Sequence, residues 1–442
     1  MKLTFALCLL LSFASACGGS ESTFLPAVDA GTVAADAGTA SDGGAVQAVD
    51  GGPVNDGGTL VYADCPAPVP PGLAQSNVIV MNPLDGQISK RYDLSCFAEN
   101  PGFPRPANLL LVRDKVYVAL QDFDANFSNF KTTKLVVIDS LAERVLRKVE
   151  LPGRKNVSDL DLGPDGLVYV TTQGILGLDF PGFTVEPELS GGVDILDPMT
   201  DTLVRRIDDD AFGGNVTRVE VASPTRAYAI VAVFDATGSP RENHYFVKRF
   251  NPSTGVVERA PIYAATGSFV SGLVYDALTA SVYVAEGDFL DPRIVTLRDA
   301  DGTVDPARRI ALSLTPQSMD LFVRGPERKL VVVEPDFAGG VGAVQTIDVS
   351  RAPPFVAVTA PDPVSSDPII RILPIPGALP QVPQAYVINR FQADNIQWLD
   401  PDAAFATRRL GGVAAQWSTG NGSNPQDALP ISPTKLYVTL QQ

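Results

Sequence analysis

A repeat of about 53 residues constrains the fold of this chain more than any other feature. Two markers recur: an Asp or Asn turn between two apolar strands, and an apolar strand with Tyr at its centre. Each marker occurs seven times, and the six intervals between copies average about 53 residues in both series. Two independent series with one period predict a repeat array. The turn markers are Asn82, Asp139, Asp197, Asn251, Asp299, Asp348 and Asp400, and the strand markers are Tyr117, Tyr169, Tyr228, Tyr283, Val331, Tyr386 and Tyr437.

Each repeat has the content of one blade of a β-propeller. It contains four short strands with two-residue alternation, and these strands are joined by turns. Asp and Asn favour the turn positions because their side chains hydrogen-bond backbone amides two residues on. Stacked β-sandwiches are the alternative, but they would not keep a fixed period through seven copies. The sequence therefore predicts an all-β fold, a seven-bladed β-propeller with four-stranded blades.

The two ends of the repeat array predict how the ring closes. The segment KLYVTLQQ (435–442) alternates like a strand and nearly repeats LVYVTTQG (167–174). The first hairpin, 77–94, has no half-repeat before it that would complete its sheet. We therefore expect the C-terminal strands to pair with this first N-terminal hairpin, which closes the ring and removes its free edges.

Short phrases in these strands resemble a known repeat family. LVYVTT, SVYVAE and LYVTLQ, with turns such as GPDG, resemble the YVTN-type repeats of bacterial surface-layer and lactonase-like seven-bladed propellers. The resemblance spans about residues 76–442 and implies the fold. It implies no single function, because that family contains binding proteins, enzymes and unassigned proteins. The family's final Asn is replaced by Gln121, Gln173 and Gln441 in three repeats.

The amino terminus has the layout of an export signal. Residues 1–16 contain one lysine, an apolar run and small residues before Cys17, and the run is too short to span a membrane as a helix. Ala14-Ser15-Ala16-Cys17 resembles a bacterial lipobox, in which the cysteine is acylated; a plain signal cleaved after Ala16 is the alternative. Gly18 follows where an aspartate usually retains lipoproteins in the inner membrane. This resemblance implies a lipoprotein anchored in the outer membrane, on its periplasmic or cell-surface side.

A tether is expected between the anchor and the propeller. Residues 17–58 consist largely of Asp, Ala and Gly phrases without lysine or arginine, so they cannot bury enough apolar area to fold. Residues 59–75 form a lead-in, and 76–442 form the propeller. With 34 Lys and Arg against 50 Asp and Glu, the chain is acidic, which disfavours a nucleic-acid partner. We expect a monomer that meets the membrane through its lipid only.

Two cysteines remain once the signal and the anchor are set aside. Cys8 leaves with the signal and Cys17 carries the lipid, which leaves Cys65 and Cys96. One pair of cysteines in an exported protein predicts a disulfide. A redox or metal role is the alternative, and it is disfavoured because neither cysteine has a second thiol or a histidine close in sequence.

The lengths of the connections predict which face binds. Turns within each half-repeat are short, whereas the connections between halves and to the next repeat are often long, and both long sets emerge on one face. Long ordered loops carry function more often than tight turns. Asp-Phe recurs on this face in four repeats, with Phe234-Asp235 inverted and Phe391 alone in two others, and we interpret the Phe as packing between blades. The Asp either caps its loop or joins an acidic ring; these candidate loop-face residues are Asp122, Asp179, Asp288 and Asp336.

A second recurrence lies at the start of the strand expected to be innermost. Small or polar residues stand there in six repeats, where a ligand at the channel mouth would meet them. Crowding at the axis of a propeller is the alternative reason for their small size. These candidate channel-mouth residues are Asn108, Ser158, Thr217, Ser271, Ser318 and Asp427.

The residue inventory excludes several chemistries. His244 is the only histidine, which excludes multi-histidine metal sites and histidine-bridged haem. Asp122-x-Asp124-x-Asn126 begins like a calcium loop, but Phe127 occupies the position of the required glycine. No cofactor is therefore expected, with calcium the weak exception.

The leading hypothesis is a binding or scaffold protein for a protein, peptide or envelope polymer at the long-loop face. The alternative is a lactonase-like or other hydrolase that uses carboxylates, and a divalent ion, at the central channel. Three or more carboxylates that converge at the channel mouth would favour the enzyme, since they would need a cation to coexist.

Overall fold

The computed structural model describes residues 54–55, 60–61, 77–99, 103–124, 129–180, 183–238, 241–267, 269–336, 339–376 and 382–441. The predicted signal, Cys17, Cys65 and most of the tether lie outside the described residues. Within the predicted tether and lead-in, Val54–Asn55 pairs with Leu60–Val61 as a two-stranded ribbon. This short pairing differs from the prediction that the tether has no structure up to residue 58.

Seven antiparallel sheets of four strands make up the ring, and each sheet is one blade. Strands are given from inner to outer. Blade 1 contains Pro106–Val112, Lys115–Leu120, Lys134–Asp139 and Arg144–Glu150; blade 2 contains Val157–Leu162, Val168–Thr172, Gly192–Asp197 and Thr202–Asp208. Blade 3 contains Asn215–Ser223, Arg226–Asp235, Glu242–Asn251 and Val256–Val257; blade 4 contains Phe269–Asp276, Ser281–Gly287, Arg293–Arg298 and Ile310–Ala311.

Blades 5 to 7 continue the same order. Blade 5 contains Ser318–Arg324, Glu327–Glu334, Ala343–Asp348 and Ala357–Thr359; blade 6 contains Pro368–Pro374, Pro383–Asn389, Asn395–Asp400 and Ala406–Thr407. Blade 7 contains Pro425–Ser432, Lys435–Leu440, Asn77–Met81 and Ile88–Asp93. The predicted seven-bladed propeller is therefore confirmed.

Smaller elements decorate the connections. Tyr263–Ala264 and Gln416–Ser418 pair with the third strands of blades 3 and 6, and two ribbons pair Leu178–Phe180 with Phe183–Val185 and Arg409–Leu410 with Val413–Ala414. The helices are Asp209–Phe212 and the 3₁₀ turns Ser95–Phe97, Pro306–Arg308 and Pro401–Ala403. Across the described ranges, no helix has the length and apolar character needed to cross a bilayer.

The core lies between the blades rather than in one central mass. The second strand of each blade is covered on both faces by its neighbours, so its marker residue is buried, as Tyr117 and Val331 are. Tyr117 of blade 1, for example, belongs to the same apolar cluster as Leu160 and Val168 of blade 2. Stacking of this kind buries each blade only when its neighbours are present, which explains why the repeat period is kept.

Side-chain turn bonds form at six of the seven marker positions; five reach the amide two residues on, as predicted, and Asn251 reaches the amide three residues on, that of Thr254. At Asp139, for example, Oδ1 accepts a hydrogen bond from the backbone N–H of Leu141 at 2.9 Å. Asp299 is the exception and corrects the prediction: its carboxylate accepts a hydrogen bond from the Tyr228 hydroxyl, and Asp301 makes the turn contact instead. The six turns are made by Asn82, Asp139, Asp197, Asn251, Asp348 and Asp400.

Blade 7 joins the two ends of the repeat array, as the sequence predicts. Its inner pair of strands comes from residues 425–440 and its outer pair from residues 77–93. Val78 is paired with Thr439 and Met81 with Leu436 across this seam. The ring is therefore closed by backbone hydrogen bonds within one sheet.

Candidate ligand-binding cavity

A cavity of about 270 Å³ lies on the axis of the ring and contains side chains from all seven blades. It opens where the inner strands begin and the second strands end, which is the face of the long connections. All six predicted channel-mouth residues line it: Asn108, Ser158, Thr217, Ser271, Ser318 and Asp427. The structure thus brings these six residues together, and their role toward a ligand stays a prediction.

A recurring β-bulge places most of these side chains. The register between inner and second strands shifts by one residue in blades 1, 2, 3, 4 and 7, at the level of the cavity. The extra residue is Ser158 in blade 2, Thr217 in blade 3 and Ser271 in blade 4. Bulges re-aim side chains and leave the extra residue unpaired. In blade 7 the extra residue is Gln426, so Asp427 lies one step deeper, level with Asp159.

Seven charged side chains of the inner strands interact around the axis, and five of them are acidic. Asp159, Arg218, Arg371 and Asp427 line the cavity itself. The other three are deeper, at the level of the second-strand markers: Asp161 is opposite Tyr169, Glu220 opposite Tyr228 and Asp320 opposite Val331. The set is Asp159, Asp161, Arg218, Glu220, Asp320, Arg371 and Asp427.

Four of these carboxylates bridge neighbouring blades. Asp320 Oδ2 accepts from the N–H of Ile372 in blade 6, and Asp427 Oδ2 from the N–H of Leu109 in blade 1, both at 2.7 Å. Asp161 and Glu220 likewise accept backbone hydrogen bonds from the next blade, at Val221 and Tyr275. The inner edge of each sheet has N–H groups without a strand partner, and these carboxylates satisfy some of them.

Burial in the channel raises the pKa of its carboxyl groups. Burial raises the pKa of Asp161 to about 6, with a further contribution from the charge of Asp159. Burial and then the charge of Asp161 raise the pKa of Glu220 well above its usual value. Burial is also the main cause of the raised pKa of Asp159, Asp320 and Asp427. Burial therefore favours the neutral form of these carboxyl groups.

The three cavity-lining arginines differ in how fully they are bonded. Arg371 Nε lies 2.7 Å from Asp427 Oδ1, and Arg390 is held by Asp367 at 2.7 Å. Arg218 Nε is 3.7 Å from the nearest carboxylate oxygen, Asp159 Oδ2. Among the described residues, the Nε atoms of all three arginines have no hydrogen-bond partner, so the arginines differ in the distance to the nearest carboxylate. Arg218 and Asp159 are thus the least satisfied charged pair on the cavity wall.

The four predicted loop-face aspartates are engaged around the cavity rather than in it. Asp122 is buried and lies 2.8 Å from Lys134 Nζ, and Asp179 lies 2.9 Å from Arg241 Nε. Asp288 accepts from the N–H of Leu290, and Asp336 from the N–H of Gly339, both at 2.8 Å. None of these four described residues lines the cavity.

The Phe residues of the same recurrence have different environments. Phe123 is buried, as the packing interpretation predicts. Phe289 and Phe391 are 45% and 44% exposed, so that interpretation is wrong for blades 4 and 6. The side chain of Phe180 and all of Phe337 lie outside the described part of the structure.

The described residues of the predicted calcium-like stretch and of the predicted disulfide do not line this cavity. In the described part of the chain, no group of three or more His, Cys, Asp or Glu is placed to hold a metal ion. Asp122, the first residue of the calcium-like stretch, is bonded to Lys134, and residues 125–128 lie outside the described ranges. Cys96 is disulfide-bonded, and its pairing with Cys65 stays a prediction because Cys65 lies outside those ranges.

Apart from Asp427, the channel charges are functional candidates that sequence reasoning missed. A usable signal exists in the strands before the markers: VSDLDL (157–162) and VTRVEV (216–221) carry charges at alternate positions, and SMDLFV (318–323) carries one charge, at Asp320. Alternation places such residues on one face of a strand. Aligning these strands on the marker of the next strand would have grouped Asp161, Glu220 and Asp320.

Comparison with known proteins supports the fold and leaves the function open. No protein-family model and no curated protein matches the chain. Hydrazine synthase from Kuenenia stuttgartiensis is similar in structure, with a TM-score of 0.50 and 13% identity over 76% of this chain and 91% of that chain. Dihydro-heme d1 dehydrogenase NirN, in complex with DHE, has a TM-score of 0.43 and 15% identity over 80% of this chain and 66% of that chain. At 13% identity, the likeness to hydrazine synthase supports the fold alone.

Proposed function

We propose that this protein is a lipid-anchored binding protein of the bacterial envelope, and that its ligand occupies the axial cavity on the long-loop face. The observation that carries the proposal is the convergence of side chains from seven blades on one cavity of about 270 Å³. A concave site with a few polar groups among apolar ones is the usual form of a small-ligand site. The face around it bears the long connections, which favours recognition there.

The bonding of the channel carboxylates favours binding over catalysis. Asp320 and Asp427 each accept two backbone N–H bonds, one from the next residue and one from the next blade. Such bonds hold the blades together and leave few lone pairs for a reaction. No group suited to a metal ion occurs among the described residues. The metal-dependent hydrolase therefore has no supporting observation in the described part of the channel.

A cavity-filling variant tests this function. The full chain, with an affinity tag inserted in the 18–58 segment, is purified in detergent and used to capture components of envelope extracts. Ser271→Trp fills the cavity, whereas Leu278→Ser changes an exposed turn of the same blade at the opposite end of the strand. We expect wild type and Leu278→Ser to retain the same component and Ser271→Trp to lose it. Equal recovery by both variants would overturn the proposal.

The anchor requires a separate test. Cys17 stands in the lipobox-like sequence Ala14-Ser15-Ala16-Cys17, and this motif supports the envelope location. We expect wild type to fractionate with membranes and to be released by detergent, and Cys17→Ser to appear in the soluble fraction. Unchanged membrane fractionation of Cys17→Ser would refute lipidation and leave the cavity proposal standing.

A further inference from the structure

We infer that the axial cavity binds a neutral saccharide unit, one sugar ring presented either as a free sugar or as the end of a glycan chain. This inference rests on the binding function proposed above and specifies its ligand. Three observations carry it. The wall consists mainly of uncharged hydrogen-bonding side chains, several of these have no protein partner, and each arginine of the wall has a carboxylate of its own.

Uncharged polar side chains are the largest group on the cavity wall. Ten of the 23 lining residues are Asn, Gln, Ser or Thr, against eight apolar and five charged residues. These ten come from six of the seven blades, so hydrogen-bonding groups surround the axis instead of occupying one side of it. Apolar residues are interleaved with them, as Val270 is with Ser271 and Pro316 with Thr315 and Gln317. The wall therefore offers polar and apolar contacts side by side.

Several of these uncharged side chains make no hydrogen bond to any other described residue. They are the hydroxyls of Ser271, Thr315 and Ser318 and the carboxamides of Asn108 and Gln173. Asn108 Oδ1 and Ser271 Oγ are buried as well. A buried polar atom without a partner costs free energy, and a ligand that supplies the missing bond recovers it. The wall thus offers both donors and acceptors to a ligand.

The charges on the wall are balanced in pairs and do not call for a charged ligand. Each of its three arginines has a carboxylate as its nearest opposite charge. The pairs are Arg371 with Asp427 at 2.7 Å, Arg390 with Asp367 at 2.7 Å, and Arg218 with Asp159 at 3.7 Å. Asp367 is buried and does not line the cavity, but its charge still offsets that of Arg390. A charged ligand group would add an unpaired charge to this balanced and partly enclosed wall, which is costly.

A hydroxyl is the ligand group that fits such a wall. It both donates and accepts hydrogen bonds, whereas an ammonium group only donates and a carboxylate only accepts. Asn108 Oδ1 needs a donor, and the hydroxyls of Ser271 and Ser318 serve in either role. A sugar ring carries hydroxyls around its edge and C–H groups on its faces. Its faces suit the apolar lining residues, Phe269 among them.

The size of the cavity limits the ligand to one ring. An apolar cavity of about 150 Å³ is enough to hold benzene, and sites for drug-sized molecules begin at about 300 Å³. The cavity of about 270 Å³ thus has room for a six-membered ring with its hydroxyls and too little room for two rings. A longer glycan would enter by its terminal residue and leave the next ring at the rim.

An exposed aromatic residue stands at this rim. Phe391 directly follows the cavity-lining Arg390 and is 44% exposed. Its φ of 38° lies in the left-handed region, which bulky residues rarely adopt, and its N–H donates to Asn424 Oδ1 at 3.3 Å. The fold thus holds a large apolar side chain in solvent beside the cavity, where the second ring of a glycan would pack on it.

Matched sugars test the inference on the full chain, in a detergent without sugar head groups. Methyl glycosides of glucose, galactose, mannose and N-acetylglucosamine are compared by calorimetry at pH 6.5 with their uronate and 2-amino counterparts, which keep the ring and add one charge. We expect the best neutral glycoside to bind roughly tenfold or more tightly than either charged counterpart.

Two results of this comparison would overturn the inference. One is a charged counterpart that binds more tightly than its neutral parent, and the other is no binding of any neutral glycoside at about 10 mM. Neither result would alter the capture experiment above, so failure of the ligand class is distinguishable from failure of the binding function.

Variants of the unpartnered side chains locate the site. Gln173→Met removes a cavity amide at similar size and Ser271→Ala removes a cavity hydroxyl, whereas Gln87→Met changes an exposed turn of blade 7 that does not line the cavity. We expect each cavity variant to weaken binding of the best neutral glycoside roughly three- to tenfold, the effect of one lost hydrogen bond, and Gln87→Met to retain it. If neither cavity variant binds more weakly than Gln87→Met, the inference is overturned.

The disaccharide of the best-bound sugar distinguishes the two sources. If the cavity takes the end of a glycan, the disaccharide binds more tightly than the monosaccharide, and Phe391→Ala removes that gain. If the cavity takes a free sugar, the monosaccharide binds more tightly because the second ring has no room. In both cases Gln173→Met must weaken binding, and a sugar indifferent to both Gln173→Met and Ser271→Ala would contradict the inference.

Discussion

The Oδ2 atom of Asp427 lies 2.7 Å from the backbone nitrogen of Leu109, so a carboxylate of blade 7 accepts a hydrogen bond from blade 1. The Oδ1 atom of the same carboxylate lies 2.7 Å from Arg371 Nε of blade 6. One buried side chain, 2% exposed, therefore links three blades at the axis.

Replacing this carboxylate should destabilise the ring. Asp427→Ala leaves the Leu109 N–H and the Arg371 guanidinium without their partner in a buried site, a change that typically costs about 3–5 kcal/mol. Asp427→Asn keeps one acceptor oxygen and should cost less. Urea unfolding at pH 7 measures both free energies.

A surface ion pair serves as the control for this measurement. Asp402 is paired with Arg324 at 2.6 Å, but its side chain is 75% exposed. Asp402→Ala should change the free energy of unfolding by about 0–1 kcal/mol, since exposed pairs contribute little. If Asp402→Ala and Asp427→Ala lower the free energy of unfolding equally, the contacts of Asp427 with three blades stabilise the ring no more than an exposed ion pair does.

The raised pKa of Asp161 predicts an unusual pH dependence. The folded protein holds this proton up to a pH of about 6, whereas an unfolded aspartate releases it near 3.9. The folded state thus binds more protons between these values, so its stability falls as the pH rises through this window. Asp161→Asn removes the effect and should stabilise the protein at pH 7.5 by about 1–3 kcal/mol.

The test uses two pH values and a control residue whose pKa is shifted in the opposite direction. The advantage of Asp161→Asn over wild type should shrink at pH 4.5, where the wild-type carboxyl is largely protonated. At Asp179 the hydrogen bond from Arg241 lowers the pKa, so its contribution is lost as the pH falls, and Asp179→Asn should show no advantage at pH 7.5. An advantage of Asp161→Asn that is the same at both pH values would contradict the assignment.

The fold was predictable because its markers are local. The Asx turns and the Tyr strands depend on residues a few positions apart, and seven copies of each outweigh the irregularity of single blades. Asp299 shows the limit of this reasoning: the same residue type in the same phrase bonds Tyr228 instead, because Asp301 two residues on satisfies the turn. Nothing in the local sequence decides between these two acceptors.

The cavity was only partly predictable because its chemistry depends on neighbours distant in sequence. The positions of Ser158 and Thr217 follow from their place before the marker strand. In blade 7 the one-residue bulge makes Gln426 the extra residue and moves Asp427 one step deeper, and this is visible only in the strand register. The bond from Asp427 to Leu109 joins residues 318 positions apart and exists only once the ring is closed.

The disulfide of Cys96 predicts a further stability effect. If Cys65 is its partner, the bond closes a loop of about 32 residues and contributes roughly 3–4 kcal/mol in the chain-entropy model. We expect Cys65→Ser to expose a thiol at Cys96 that reacts with a maleimide in denaturant, and to lower the free energy of unfolding. Wild type should show no such thiol. A Cys65→Ser variant without a reactive thiol would assign Cys96 another partner.

The seam in blade 7 predicts that residues 433–442 are required for the whole ring. Their deletion removes Lys435–Leu440, so the strands Pro425–Ser432 and Asn77–Met81 lose the partner between them. We expect the deletion to abolish cooperative thermal unfolding, followed by circular dichroism. Deletion of ten residues within the tether, such as 30–39, should leave the melting temperature unchanged. A cooperative transition in the 433–442 deletion would show that the ring does not depend on this strand.

A circular permutant of residues 77–441 tests the same seam without removing any strand of the ring. Val78 is paired with Thr439 in an antiparallel register, so the end of one strand lies beside the start of the other. A short glycine-rich loop can therefore join residue 441 to residue 77, with new ends placed in the exposed turn between Ala300 and Asp301 of blade 4. Because the pairing becomes a covalent hairpin, we expect the permutant to fold and to melt within a few degrees of the linear 77–441 chain, which lacks Cys65 in the same way. The control is a protein cut at the same turn of blade 4 with the seam left unjoined. If this control folds and the permutant does not, the pairing at the seam is contradicted.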